Sequence, residues 1–495
     1  MTTSYPNSAP SRSARLNDAV AVTRRQFISS SAVAISAAQM AGGAEPAPRF
    51  LYGYTDKQSY APGERIALQA STSDPRFYCV IERVAQHRQT VYTSGEVEGK
   101  SFDIPEDASS YGCRWPTALE IAIPTDWPSG YYELTMRTSE GATAGTEQRA
   151  VAYFVIRSRH NARGARILLQ LSTNTDNAYN NWAGYSLYAY NGKDGVRGQR
   201  VSFQRPQPGE NIRGWEVPFI IWAEANGYEL DYAVNNDLEF HPEILSRYRL
   251  VLSVGHDEYW SAAMRDNLED FVRRGGSVAF FSGNVCCWQV RNENDGMVCY
   301  KKDFREDPLY RPDGPNPLLS TLWSHHLIGR PENELTGVGV LFGGFHRWPG
   351  RYEDGSGAFT VHRPEHWAFQ GTELARHAQF GGSRTIVGYE CDGCEFELRD
   401  GMPIPTCRDG TPKSFEILAS APAMWGDEET LSWYERLPPN QRGAACLGLY
   451  SQSGGGTVFT AGTTDWSHGL MGEPDPIVDR ITRNILNRLS QPAAG

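Results

Sequence analysis

Apolar and polar residues alternate in short runs over residues 50–54, 65–70, 77–83, 119–123, 131–137 and 150–156. A period of two is that of a strand with one buried face. Turn clusters separate the runs, among them Ala61-Pro62-Gly63-Glu64 and Trp127-Pro128-Ser129-Gly130. Short strands with this punctuation predict an all-β sandwich of immunoglobulin-like type over residues 48–157.

The pattern changes near residue 165. Residues 167–171 and 250–254 are continuous apolar runs, as in buried parallel strands, and 230–234 and 277–282 read as strands beside them. Between them, residues 215–226 read as a helix and 242–248 as a short one. Residues 261–274 place Met264, Leu268, Phe271 and Val272 on one helical face, and Gly275-Gly276 ends that helix. This alternation predicts βαβ units and a parallel sheet. Residues 300–440 are rich in Gly, Pro and Trp and read as long loop insertions; a last strand at 457–461 and a closing helix at 476–489 complete an α/β domain over 163–492.

The N-terminus adds an address. Thr23-Arg24-Arg25-Gln26-Phe27-Ile28 puts an arginine pair before a short apolar stretch, 28–40, and the small residues 41–44. That order predicts a twin-arginine signal over residues 1–44 and a periplasmic or secreted protein. The net charge of −11 argues against nucleic acid as a partner. No apolar run reaches the ~20 residues that span a bilayer. Nine cysteines leave at least one unpaired; Cys79 and Cys113 are a candidate bridge within the sandwich. Cys391-x-x-Cys394 alone is a weak zinc signal.

Candidate chemistry gathers after the predicted strands, where open parallel sheets bind ligands. Gly255-His256-Asp257-Glu258-Tyr259-Trp260 stands at a strand-to-helix turn. Three ionisable side chains in a row there suggest a cleft, with one side chain on a metal and another moving protons. The competing reading is helix capping by Asp257 or Glu258. Tyr179, Glu390, and Asp465 with His468 lie at equivalent positions. A Gly-x-Ser-x-Gly elbow, a phosphate-cradling loop and a dinucleotide fingerprint are all missing.

The runs Leu171-Ser172-Thr173-Asn174-Thr175, Ala178-Tyr179-Asn180-Asn181-Trp182, Gly255 to Trp260, Arg363-Pro364-Glu365-His366-Trp367, Gly388-Tyr389-Glu390 and Gly462-Thr463-Thr464-Asp465-Trp466-Ser467-His468-Gly469 resemble the large (beta) subunit of N,N-dimethylformamidase. The resemblance covers roughly residues 50–490. It implies a class I glutamine-amidotransferase-like α/β domain whose nucleophilic cysteine is replaced, and a mononuclear Fe3+ held by two tyrosines and a glutamate. Carried onto this chain, Glu258 and Tyr179 are ligands. The other tyrosine is Tyr132 of Ser129-Gly130-Tyr131-Tyr132, with Tyr131 as fallback. His256 and Glu390 are the catalytic pair. The implied reaction is hydrolysis of a linear amide of a small molecule by metal-activated water. The implied partner is a small helical subunit, or else a second copy of this chain. The other readings are a non-catalytic periplasmic binding or scaffold protein, and a saccharide-acting enzyme using Glu258 and Glu390 as a pair; that chemistry needs a carboxylate separation of about 5–10 Å.

Overall fold

The computed structural model describes residues 48–138, 147–159, 166–207, 209–347, 355–388, 390–425, 434–436 and 441–491. The predicted signal segment lies outside them. Residues 49–495 form one compact unit.

The first part is two β-sheets face to face. One comprises Leu51–Thr55, Arg65–Thr72 and Thr117–Ala122; the other runs Ser59–Tyr60, Arg149–Ile156, Gly130–Thr138, Arg76–Val84 and Gln89–Thr93, with Val97–Glu98 on its flank. Leu51, Ile66, Leu68 and Ile121 of the first sheet meet Phe77, Ile81, Leu134, Met136 and Phe154 of the second. The strand Gly130–Thr138 is buried on nearly every residue, because its second face is covered too. Tyr131, with Val84, Tyr153 and Val155, packs into the same cluster as Phe219 and Leu252 of the α/β part. Arg83–Glu224 (2.6 Å) and Arg213–Glu133 (2.7 Å) cross the same boundary.

The α/β part is built on one long mixed sheet. The main path of its strands is β1 (Ile167–Leu171), β2 (Leu230–Val234), β3 (Leu250–His256), β4 (Ser277–Gly283), β5 (Gly339–Phe345), β6 (Glu390–Gly393), β7 (Glu416–Met424), β8 (Arg442–Ser451) and β9 (Thr457–Thr460), in spatial order β2-β1-β3-β4-β9-β8-β7-β5-β6, with Phe359–Val361 pairing on β7 and Gln379–Phe380 beyond it. Pairings from β2 through β9 are parallel, and β9–β8, β8–β7, β5–β7 and β5–β6 are antiparallel. The helices that matter for the site are α1 (Thr173–Tyr179), α2 (Glu210–Ala225), α3 (Ala262–Arg273) and α4 (Pro476–Leu489).

The parallel half follows the sequence expectation closely. Residues 300–440 do not: they supply β5, β6 and β7, which extend the sheet in antiparallel sense. Their glycines and prolines hid the strands. Gly343 and Gly393 sit where backbones approach so closely that an added Cβ would lie 1.9–2.1 Å from a carbonyl oxygen. Glycine there records close packing between strands rather than a loop.

Candidate active site and metal centre

The site begins at the end of β3. Gly255 has φ +81°, and a Cβ on it would lie 2.3 Å from Trp215 Cβ; only glycine meets both conditions. His256 closes the strand, and Asp257 turns the chain. The Asp257 carboxylate accepts from Gln170 Nε2 (3.2 Å), Ser253 Oγ (2.8 Å) and Asn235 Nδ2 (3.1 Å), so it ties the turn to β1, to its own strand β3 and to the residue that follows β2. Helix capping falls to Ser261, whose Oγ accepts from Met264 N–H at 3.2 Å. Asp257 and Glu258 therefore do not cap α3.

Glu258 is fully buried and heavily bonded. Its Oε1 accepts from the Tyr179 hydroxyl at 2.6 Å and from Asn284 Nδ2 at 3.1 Å; its Oε2 lies 2.5 Å from the Tyr188 hydroxyl. His256 Nε2 sits 2.6 Å from Glu258 Oε1 and 2.7 Å from Glu390 Oε2. Asn284 Nδ2 also donates to Glu390 Oε2 at 3.1 Å, so one amide holds both carboxylates. Tyr179 and Tyr188 stack with ring centroids 4.2 Å apart, and their hydroxyls are 2.8 Å apart. The Tyr259 hydroxyl donates to that of Tyr188 at 2.7 Å. The Lys301 ammonium lies 3.3 Å from the Tyr188 ring centroid.

The electrostatics follow from burial against pairing. Burial by itself would lower the His256 pKa, but Glu258 and Glu390 outweigh it and push it up to about 10. Burial would raise Glu258; the charge of His256 and its hydrogen bond hold it below the usual carboxylate range. Burial lowers Lys301 to about 8, against the pull of Glu258. Burial and the Glu258 charge drive Tyr188 upward.

Tyr179, His256, Glu258 and Glu390 come together. Glu390 arrives by a different route than expected, at the start of β6 rather than the end of a parallel strand. Cys391 bridges Thr463 just past β9, and Thr464 N–H donates to the Glu390 carbonyl at 3.2 Å. Tyr132 does not join. Its hydroxyl donates to the Pro128 carbonyl at 2.7 Å, and its ring stacks on Trp127 and Phe154 in the sandwich core. Strand alternation sends Tyr131 to the opposite face, where its hydroxyl donates to Glu133 Oε1 at 3.2 Å. The second tyrosine at the site is Tyr188, from the aromatic loop that follows Tyr179. Asn284 was also missed, although it stands one residue past β4, where the strand-end rule applies. No sequence pattern pointed to Lys301.

Asp465 and His468 stay outside the carboxylate cluster: Asp465 accepts from Trp215 Nε1 at 3.0 Å, and His468 lies 3.7 Å from Asp465. Cys79 and Cys113 belong to separate core clusters, and all nine cysteines are free thiols. The expected bridge between them is therefore absent.

Among the described residues, two groups of three side chains converge closely enough for a metal: His256, Glu258 and Glu390, and His325, His326 and Glu435. In the second, His325 Nδ1 accepts the Leu327 N–H at 3.2 Å, and burial lowers the ring to a pKa of about 4. The Nδ1 lone pair is thus engaged by backbone, and Nε2 faces Glu435 at 3.3 Å. At the first group, two phenol oxygens and both oxygens of Glu258 meet. They are hard donors suited to an oxidised, oxygen-seeking cation. One oxygen each of Glu258 and Glu390 lies within 4.8 Å of the other.

A profile described as N,N-dimethylformamidase beta subunit-like, C-terminal, matches residues 81–479. The N,N-dimethylformamidase beta subunit of an Alcaligenes species is 24% identical over 439 residues, and that of Paracoccus aminophilus is 26% identical over 441; each match covers 76% of this chain and 54% of the relative. The chain thus spans about half the length of the curated relatives it matches. Among solved structures, a ThuA-like protein from Parabacteroides merdae is similar over 67% of this chain and 93% of its own at 10% identity, with a TM-score of 0.25, too low to argue from.

Proposed function

The chain belongs to the N,N-dimethylformamidase beta subunit-like, C-terminal family, and on that premise we propose that it hydrolyses the carbon–nitrogen bond of a small linear amide, with a mononuclear iron as Lewis acid. One observation carries the reading: the hydroxyls of Tyr179 and Tyr188 meet the two oxygens of Glu258 beside the His256–Glu390 pair. Tyr179, Tyr188 and Glu258 would hold the cation, which when bound polarises the amide carbonyl.

The protein's own groups do the proton work. Glu390, outside the ligand set, takes the proton of the attacking water. His256, charged between two carboxylates, gives a proton to the departing amine nitrogen. Asn284 keeps the two carboxylates at a constant separation through one shared amide. Lys301 places positive charge behind Tyr188 and favours an anionic site. Burial of His256, Glu258 and Asn284 strengthens each of these interactions by excluding water. No acyl-enzyme is needed, in keeping with the lack of a nucleophile elbow.

The same reading extends to assembly, address and fold. The matched relatives are named as subunits, and we take this chain to work with a partner subunit as well, after export by the twin-arginine route. The mainly parallel half-sheet behind a two-sheet sandwich supports the glutamine-amidotransferase-like and immunoglobulin-like assignments.

The test is metal content and the visible spectrum of the purified mature protein, followed by turnover of small amides. About one iron per chain, a tyrosinate charge-transfer band and amine release are expected. A colourless, metal-free protein inert toward amides after reconstitution would overturn the reading in favour of a binding protein.

A further inference from the structure

The Gly462-Thr463-Thr464-Asp465 loop is not absorbed by the hydrolytic chemistry, yet hydrogen bonds tie it to the strands that carry the site. Thr463 N–H donates to the Ser282 carbonyl at 3.2 Å, and Asp392 N–H donates to the Gly462 carbonyl at 3.1 Å. Thr463 Oγ1 accepts from Gly388 N–H at 2.7 Å and donates to the Ile386 carbonyl at 2.9 Å. The loop therefore joins the end of β4 to the segment carrying Glu390. It leaves the Asp465 side chain aimed away from the carboxylates, at Trp215.

Asp465 is nearly buried and fully engaged. Its Oδ1 accepts from Trp215 Nε1 and from Thr464 Oγ1, each at 3.0 Å, and its Oδ2 accepts from Arg347 Nη2 at 3.0 Å. A Cβ on Gly388 would lie 2.3 Å from the Asp465 carboxyl carbon. Trp215 is clamped at its other end by Gly255, the residue before His256. Two glycines flanking the catalytic pair thus make room for one tryptophan and its acceptor.

The Trp215 ring stands edge-on to His256, with centroids 5.6 Å apart at 76°. Tyr179 meets the same imidazole at 5.6 Å and 51°. His256, Glu258 and Asn284 are buried, whereas Trp215, Tyr179 and Tyr188 are half-buried. These three partly exposed rings are the aromatic surround of the buried imidazole. Tyr179 and Tyr188 are committed to Glu258. Trp215 turns its apolar ring to His256, and its indole N–H is held by Asp465.

We propose that Trp215, pinned by Asp465, determines substrate size at this site. It restricts the group beside His256 to a compact one, such as a methyl or ethyl substituent on the amide, with Asp465 as a positioning residue acting through the indole. The inference rests on the amide-hydrolase reading. A wall of this kind rejects bulk by overlap, and one excess methylene in a tight apolar pocket is worth about 10-fold or more in kcat/KM.

The experiment compares kcat/KM for N,N-dimethyl-, N,N-diethyl- and N,N-dibutylformamide in four metal-loaded proteins: wild type, Trp215→Ala, Asp465→Ala and Asp465→Asn. In the wild type kcat/KM should fall steeply along the series. Trp215→Ala should raise the dibutyl-to-dimethyl ratio at least about 10-fold, mainly through KM. Asp465→Ala should raise it less, because the indole is freed but present. Asp465→Asn keeps an oxygen for the indole N–H and should restore the wild-type ratio. A ratio unchanged in Trp215→Ala, with the wild type active, overturns the wall and leaves the hydrolase reading intact. Equal loss on all three amides in both Asp465 variants would mark a purely structural residue and overturns its positioning role. A wild type inert on the whole series overturns the hydrolase reading, and the size limit with it.

Discussion

The Tyr188 hydroxyl lies 2.5 Å from Glu258 Oε2, while that of Tyr179 donates to Oε1 at 2.6 Å. One carboxylate thus has a phenol on each oxygen. This pairing, rather than one drawn from the sandwich, supplies the second tyrosine of the candidate metal centre.

Tyr188→Phe should lower bound iron per chain and cut amide turnover by at least about 10-fold, because a ligand oxygen is lost. Tyr132→Phe should leave both unchanged. It should cost about 1 kcal/mol of stability, since the Pro128 carbonyl loses its donor. Metal analysis and thermal unfolding of the two variants side by side check this; iron loss in Tyr132→Phe alone would restore the sandwich tyrosine to the ligand set.

Asn284 adopts φ +53° while donating to both Glu258 and Glu390. Asn284→Gly removes the amide without backbone strain and should reduce kcat by about 10- to 100-fold with little loss of stability. Asn284→Ala should lose the same activity and about 1 kcal/mol of stability besides, because alanine resists the left-handed region. Kinetics with denaturant unfolding separates the two effects.

Glu216 is buried in α2, and burial, with a smaller contribution from Asp257, raises its pKa from 4.5 to about 8. The folded state therefore holds a proton that the unfolded state releases, so wild-type stability should fall as pH rises from about 4.5 to 8 and level off above. Glu216→Gln preserves the oxygen that accepts from Ser172 N–H and cannot ionise. It should match the wild type near pH 4.5 and exceed it at pH 8 by about 4 kcal/mol, at about 1.4 kcal/mol per pKa unit. Urea unfolding at both pH values measures the difference; equal stability at pH 8 would place a charged Glu216 in the folded protein.

Nine thiols should titrate in denatured protein kept free of reductant. Only Cys407 is even partly exposed, so about one should react in the native state. Fewer than nine after denaturation would reveal a bridge formed on export.

Local pattern was enough for much of this protein. Period-two alternation marked the sandwich strands, and continuous apolar runs marked β1 and β3. The amphipathic face of α3 and its glycine stop were equally plain. Those features depend on neighbours a few residues apart, and so did the turn at His256-Asp257-Glu258, which follows directly from a strand end. Tyr179 and Glu390 were found the same way, aided by family motifs.

What sequence could not decide was which face a residue turns to and which distant segment meets it. Tyr131 and Tyr132 are adjacent, yet strand alternation places one against the α/β part and the other in the sandwich core. Tyr188 sits nine residues beyond Tyr179 in an irregular loop, where no period predicts direction. Asn284 reaches the carboxylates, and Lys301 the Tyr188 ring, only because β4 lies beside β3 and because the chain returns after β4. The antiparallel half of the sheet was hidden for a related reason: its glycines satisfy contacts between strands far apart in sequence. Local pattern settled the sandwich strands, the parallel half of the sheet and the chemistry at the end of β3; the tertiary packing chose the partners, since burial of a shared apolar core sets the pairing of distant strands and, through it, the side chains around Glu258.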